Sequence, residues 1–253
     1  MHSSYSNIHL FCLLGLWFAT GTSGSRVIGG WEAKPHSRPF MASIQLNGEH
    51  FCGGFLVRKR WVMTAAHCDI PRRTPSVRVV LGAHSLKMPE ASQQIFGVAE
   101  SLAHPQYDPK TVQNDIRLLK VSAGSWIHLP LPPRVVAPRS QDRGDTCQVI
   151  GWGDVSNFGT APTALMEVNM TVIERSACNA SWTGHVYSCM LCAAYPGRRL
   201  SQEGDSGGPL VRGTRVHGIV SFNSKRCGNP RYPDVYTRIS RYITWVRCVV
   251  QMF

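Results

Sequence analysis

Along the N-terminal third, Phe40, Ala42, Ile44 and Leu46 alternate with Met41, Ser43 and Gln45 at a period of two. Asn47-Gly48 then supplies the two-residue turn that right-twisted strands prefer, and His50 to Val57 returns as the partner strand. Short β-like runs follow at Trp61 to Thr64, Val77 to Leu81, Ile95 to Val98, Ile116 to Val121, Cys147 to Trp152, Leu165 to Ile173, Val216 to Ser221 and Val235 to Ile239. Gly, Pro and Asn separate them, and no helical periodicity intervenes. This pattern predicts an all-β barrel or sandwich architecture rather than βαβ units. Only Tyr242, Val246, Val249 and Phe253 recur at helical spacing, which predicts a C-terminal helix over about 240–253 with Ser240 as its N-cap. The proline-rich stretch from Leu129 to Pro138 reads as a linker between halves of similar size, about 27–130 and 139–239.

The first segment changes the picture of where the protein works. Polar Met1 to Asn7, an apolar run from Ile8 to Ala19 and small residues to Gly24 have the layout of a signal peptide over 1–24, although the usual basic residue near Met1 is missing. The apolar run is about a dozen residues, too short for a comfortable bilayer span. Export implies an oxidising compartment, and loss of the leader removes Cys12, leaving Cys52, Cys68, Cys147, Cys178, Cys189, Cys192, Cys227 and Cys248, an even set suited to disulfides. Apolar residues make up 43% of the 253, enough for a sizeable core, which argues against disorder. The 27 Lys and Arg against 15 Asp and Glu give a formal charge of +12. The charge is scattered, without a recognisable nucleic-acid motif, so polyanions are plausible partners and specific nucleic-acid binding is not expected.

Gly204-Asp205-Ser206-Gly207-Gly208-Pro209 sets a serine among glycines, which allow a sharp turn and bring backbone N–H groups toward one point, as an oxyanion hole requires. Alone, the pattern also fits the nucleophile elbow of α/β-hydrolases or a plain glycine-rich turn. The elbow reading needs an acid and then a histidine after the serine. His217 is the only histidine after Ser206 and no acidic residue lies between them, so that reading fails. The order histidine, aspartate, serine survives, with His67 in Thr64-Ala65-Ala66-His67-Cys68 and Asp115 in Asn114-Asp115-Ile116.

With Val27-Ile28-Gly29-Gly30, Gly151-Trp152-Gly153 and Pro233-Asp234-Val235-Tyr236, these segments resemble the chymotrypsin-like, or trypsin-family, serine peptidases from Val27 to the end. The resemblance implies two packed six-stranded Greek-key β-barrels with a C-terminal α-helix in one peptidase domain, 27–253. It implies a serine endopeptidase in which Ser206 attacks the scissile carbonyl, His67 moves the proton, Asp115 orients His67, and the N–H groups of Gly204 and Ser206 bind the oxyanion. It also implies a latent precursor: cleavage after Arg26, at the end of a 25–26 propeptide, frees the Val27 amine to pair with Asp205. Cys52–Cys68 and Cys178–Cys192 are the disulfides it implies. Gln202 and Arg212 stand where relatives commonly carry cysteines that would partner Cys227 and Cys147, so Cys147, Cys189, Cys227 and Cys248 retain three possible pairings. The missing bridge beside Gln202 is expected to leave the specificity wall less braced.

The implied substrate pocket comprises Leu200, Ser201, Gln202 and Glu203 with Ser221, Phe222, Asn223 and Asp234. Leu200 sits where trypsin-like enzymes carry aspartate, whereas Asp234 replaces the usual glycine and can meet a cationic side chain. Arginine before the cleaved bond and small aliphatic residues are the two alternatives. Pro35 to Ser43, Val80 to His84 and Cys178 to Trp182 look most like haematopoietic members, which implies secretion or storage in granules of neutrophil-type cells. Protein or peptide substrates, heparin-like glycosaminoglycans and serpin-type inhibitors are the partners expected for a monomer with no cofactor and no metal. Asn169 and Asn179 head glycosylation sequons. A rival reading is a cationic binding protein on a peptidase scaffold, with weak or no proteolysis.

Overall fold

A computed structural model describes residues 30–70, 76–122, 143–153, 162–195, 205–224 and 231–252. A short strand β1 (Trp31–Glu32) precedes β2 (Met41–Leu46), β3 (Glu49–Arg58), β4 (Trp61–Thr64), β5 (Val77–Leu81), β6 (Gln94–Ala103) and β7 (Arg117–Val121). β2 to β7 close into an antiparallel barrel in the order β2-β3-β4-β7-β6-β5, with β5 pairing back onto β2. The β2–β3 hairpin turns on Asn47 and Gly48 at φ 53° and 90°, as that dipeptide predicts.

The second half supplies β8 (Thr146–Gly151), β9 (Met166–Ile173), α1 (Arg175–Ser181), β10 (Met190–Ala194), β11 (Pro209–Arg212), β12 (Arg215–Phe222), β13 (Asp234–Arg238) and α2 (Ile243–Met252). Its strands run β9-β10-β13-β12-β11-β8, and β8 pairs with β9 to close a second six-stranded ring. β1 adds to the outside of β9, with Trp31 opposite Glu167, so the start of the described chain is fastened to the second barrel. Arg38 reinforces this by donating to Glu167 and to Gln148 on β8.

One apolar cluster runs through the first barrel and into the second, from Ile44, Phe55 and Leu118 through Trp152 to Val211 and Ile219. Trp152 is fully buried and its indole N–H donates to the His84 carbonyl at 2.9 Å, giving this large side chain the polar partner that burial demands. Met41, Ala42, Ser43 and Ile44 are all buried, whereas Leu46 is 42% exposed, so the alternation along β2 does not mark one wet face. β2 has cover on both sides, and Ser43 is accommodated by a 2.8 Å hydrogen bond with the His50 ring.

Three strands and one helix escape the sequence pattern. β11 opens on Pro209, which reads as a breaker yet is tolerated at the first residue of a strand. β10 lacks β-branched residues, and β1 has two residues. α1 is seven residues long with no side-chain cap, too short for a periodic signal, and the disulfide from its Cys178 to Cys192 of β10 tethers it. Ser240 does not cap the C-terminal helix. It lies inside a 3-10 turn, Ile239–Arg241, after which α2 starts at Ile243.

α2 buries Val246 and Val249 in the cluster shared with the first barrel. Between the barrel and this helix, the His104 ring meets the edges of Tyr242 and Trp245 at 5.2 and 5.0 Å. Burial holds His104 below the ordinary histidine value of 6.5. It does the same for His217, assisted by the charges of Arg212 and Arg215. For both rings the unfolded chain binds the proton more tightly, so their contribution to stability is complete above the ordinary histidine pKa and is lost as pH falls toward the depressed folded value. The thermal midpoint should therefore rise as pH is raised toward the ordinary histidine value of 6.5 and level off above it, and His104→Phe with His217→Leu should flatten that rise in melting curves.

Candidate active site

β4 ends in a buried stretch, Thr64 to Ala66, that delivers His67 to the rim of the first barrel. The next residue, Cys68, is bonded to Cys52 of β3, so the His67 loop is tied back to the neighbouring strand. Asp115, fully buried just before β7, holds His67 twice. Its Oδ1 accepts the His67 backbone N–H at 2.8 Å, and its Oδ2 lies 2.8 Å from the ring Nδ1. A carboxylate facing Nδ1 selects the tautomer with the proton there, which leaves Nε2 as the basic nitrogen. The His67 side chain keeps 29% of its surface exposed, so the ring edge is accessible to a reactant.

The second barrel completes this carboxylate's surroundings. Ser221, at the end of β12, donates to Asp115 Oδ2 at 2.5 Å, and Thr237 of β13 donates to the Asp115 backbone carbonyl at 2.7 Å. Tyr242 reaches the neighbouring Asn114 Oδ1 at 2.9 Å. The sequence marked Ser221 only as pocket lining and missed Thr237. Neither has a local signature, because both act through partners more than 100 positions away.

The turn carrying Ser206 is seated by backbone geometry. Gly53 donates its N–H to the Ser206 carbonyl at 2.8 Å, and Cys68 Sγ lies 3.7 Å from that same oxygen. Ser206 and the His67 loop are thus fastened at one point beside the Cys52–Cys68 bridge. Gly207 adopts φ 82°, and a Cβ there would collide with Thr64 Oγ1 and the Gly53 carbonyl. Gly151 and Gly153 leave the room that the Asp205 carboxylate fills, since a side chain at either would fall on it. Gly153 also donates its N–H to Asp205 Oδ1 at 2.9 Å.

Profile comparison matches residues 27–246 to the trypsin family. The chain belongs to that family. The peptidase is 45% identical over 243 residues to Serine protease 57 of Rattus norvegicus, across 93% of this chain and 86% of the relative. It is 46% identical to Serine protease 57 of Homo sapiens, across 91% and 83%. Granzyme B of Rattus norvegicus is 39% identical, across 94% and 96%. Among solved structures, mouse neuropsin, a serine protease expressed in the limbic system of the brain, superposes with a TM-score of 0.80 at 34% identity, covering 87% of this chain and 98% of its own. The peptidase is accordingly a serine endopeptidase with the two-barrel chymotrypsin-like fold.

Of the pocket residues expected in this peptidase, Ser221, Phe222 and Asn223 lie at and just beyond the end of β12, and Asp234 opens β13 beside them, with Phe222 opposite Val235. Asp234 is buried. The fully buried Tyr236 phenol is held far above its ordinary pKa, first by burial and then by the Asp234 and Asp205 carboxylates, and it donates to Asp234. Trp182, just after α1, braces this wall from outside: its ring meets the Phe222 and Tyr232 rings at 5.1 Å each, and its indole N–H donates to the Pro233 carbonyl at 2.8 Å. Arg26, Val27, Leu200, Ser201, Gln202, Glu203 and Gly204 lie outside the described residues, as do the leader and Cys227. Both expected disulfides are present. Cys189 is half-buried and Cys248 exposed, neither in a disulfide, and Cys147 is buried in β8. Asn169 is half-buried within β9, and Asn179 in α1 accepts the Val186 N–H through its side-chain oxygen. Among the described residues no helix is long and apolar enough to cross a membrane.

The seating of the Ser206 turn yields a stability test. Gly207→Ala adds a left-handed strain of about 1–2 kcal/mol to the steric conflict with Thr64 and Gly53. The thermal midpoint should fall by about 5 °C or more, measured on the Ser206→Ala background to exclude self-digestion.

Proposed function

We propose that Ser206 is the nucleophile, His67 the general base and acid, and Asp115 the residue that fixes the His67 tautomer, in peptide-bond hydrolysis through an acyl-enzyme. The observation that supports this reading is the double hold of Asp115 on the His67 backbone and ring, on a carboxylate also hydrogen-bonded by Ser221. His67 Nε2 takes the Ser206 proton as Oγ attacks the carbonyl carbon and returns it to the leaving amine. A water then repeats the sequence on the ester. The N–H groups of Gly204 and Ser206 stabilise the oxyanion. Ser206→Ala should lower kcat by about 10⁶-fold and Asp115→Asn by about 10⁴-fold, and turnover retained by the pure Ser206→Ala protein would refute the assignment.

We further propose that the chain is secreted or granule-stored as a precursor. Cleavage after Arg26 lets the Val27 amine pair with Asp205, in the glycine-lined space beside Gly151 and Gly153. Carbamylating that amine should abolish activity.

The preferred residue before the cleaved bond is arginine. This rests on Asp234, a buried carboxylate beside the Ser221 to Asn223 wall, because a carboxylate can accept a guanidinium at two points. A peptide library should show cleavage after arginine, and Asp234→Gly should reduce kcat/KM for arginine substrates by about 100-fold, the worth of a charge-assisted pair. Cleavage only after valine or alanine would overturn the arginine reading while leaving the triad intact.

A further inference from the structure

Arg117, the first residue of β7, carries its guanidinium in the protein interior with 9% of the side chain exposed. Its neighbours Ile116 and Leu118 are fully buried. Burial depresses the Arg117 pKa, opposed by Asp69, Tyr107 and Asp115, and its Nε has no hydrogen-bond partner. Replacing buried ionic groups by apolar ones of similar volume is often neutral or stabilising, so packing alone gives no reason for this arginine.

Its hydrogen bonds do. Nη2 donates to the Ala66 carbonyl at 3.0 Å and to Asp69 Oδ1 at 3.3 Å, and Nη1 donates to the Ile70 carbonyl at 3.2 Å. Nη1 also donates to Ser101 Oγ at 2.7 Å, whose own hydroxyl donates to the Ile70 carbonyl at 2.7 Å. Positions 66, 69 and 70 bracket His67 and Cys68. We infer that Arg117 is a positioning residue for the reaction: a rigid planar fork that fixes the loop carrying His67 relative to Asp115, two residues before it on the same stretch of chain. The inference rests on the proposed role of His67 as base. Asp115 alone holds His67 at its N–H and ring. Arg117 holds the chain on both sides, so the His67 ring cannot pivot about the Asp115 carboxylate as the loop breathes. A planar guanidinium can reach several acceptors at fixed angles, which a lysine ammonium cannot reproduce.

The test compares Arg117→Met, Arg117→Lys and Ser101→Ala in the peptidase activated by cleavage after Arg26, with active sites counted by a fluorophosphonate probe. Per titrated site, Arg117→Met should lose about 10- to 100-fold in kcat with KM within about twofold, because misplacing a catalytic group costs transition-state stabilisation rather than binding. Arg117→Lys should recover only part of the loss, and Ser101→Ala should show a smaller one. Hydrogen exchange should accelerate at residues 66–70 in Arg117→Met, and the thermal midpoint should fall because the Ala66 carbonyl loses its buried donor. Unchanged kcat per titrated site in Arg117→Met would overturn the inference. If Arg117→Met does not fold, unchanged kcat and 66–70 exchange in Ser101→Ala would do the same. Turnover surviving in Ser206→Ala would instead refute the underlying triad, so the two failures are distinguishable.

Discussion

The structure depends on one buried carboxylate. Asp115 has no exposure to water, and an ionised group in that position is tolerable only if its lone pairs are engaged. The donors that engage it come from separate parts of the chain: the His67 N–H and ring from the loop after β4, and Ser221 from the end of β12. Thr237 of β13 takes the backbone carbonyl of the same residue. Satisfying this charge therefore requires that the two barrels meet in one register. The requirement that stabilises the buried group also builds the proposed active site, since the donor with a basic nitrogen left over is His67.

The serine turn is positioned by a different kind of constraint, the exclusion of side chains. Asp205 presses so closely on Gly151 and Gly153, and Thr64 and the Gly53 carbonyl on Gly207, that a Cβ at any of these would collide. Space rather than attraction determines which residue types can occupy these positions. Trp152, between two of those glycines, joins the apolar cluster that runs through both barrels, so the floor of the turn is part of the common core. The Cys52–Cys68 bridge and the Gly53 to Ser206 hydrogen bond then connect the His67 and Ser206 segments over a short path of strong links.

Much of this was legible in the sequence, and what was not shares a physical character. The β2–β3 hairpin could be read because its turn chemistry is local: Asn47 and Gly48 adopt the left-handed backbone that their residue types permit. The catalytic candidates could be read because chain order excluded the hydrolase elbow and because several motifs matched one family together. Ser221 and Thr237 gave no signal as partners of Asp115, since a serine or threonine at the end of a strand looks like any other until the strand across the barrel interface is known. Arg117 was read only as part of a β-like run, because an arginine in a strand looks like surface charge. α1 was lost because seven residues hold too few turns for periodicity, and its tether is a disulfide rather than an apolar face.

In the proposed pocket, Gln202 stands where relatives commonly place a bridging cysteine. A separate brace on this side comes from Trp182. Its indole contacts Phe222 on one wall segment, and its N–H holds the Pro233 carbonyl, immediately before Asp234, on the other. One rigid aromatic residue thus couples the ends of the two strands that wall the proposed pocket. An edge-on aromatic pair contributes about 0.5–1.5 kcal/mol beyond its buried area, and the indole hydrogen bond adds about 1 kcal/mol. Together these approach the lower end of what a disulfide provides, about 2 kcal/mol. The difference lies in kind: a covalent bridge constrains the unfolded chain, whereas Trp182 acts only after the walls have assembled. Phe222 and Pro233 are therefore joined through Trp182 in the folded peptidase.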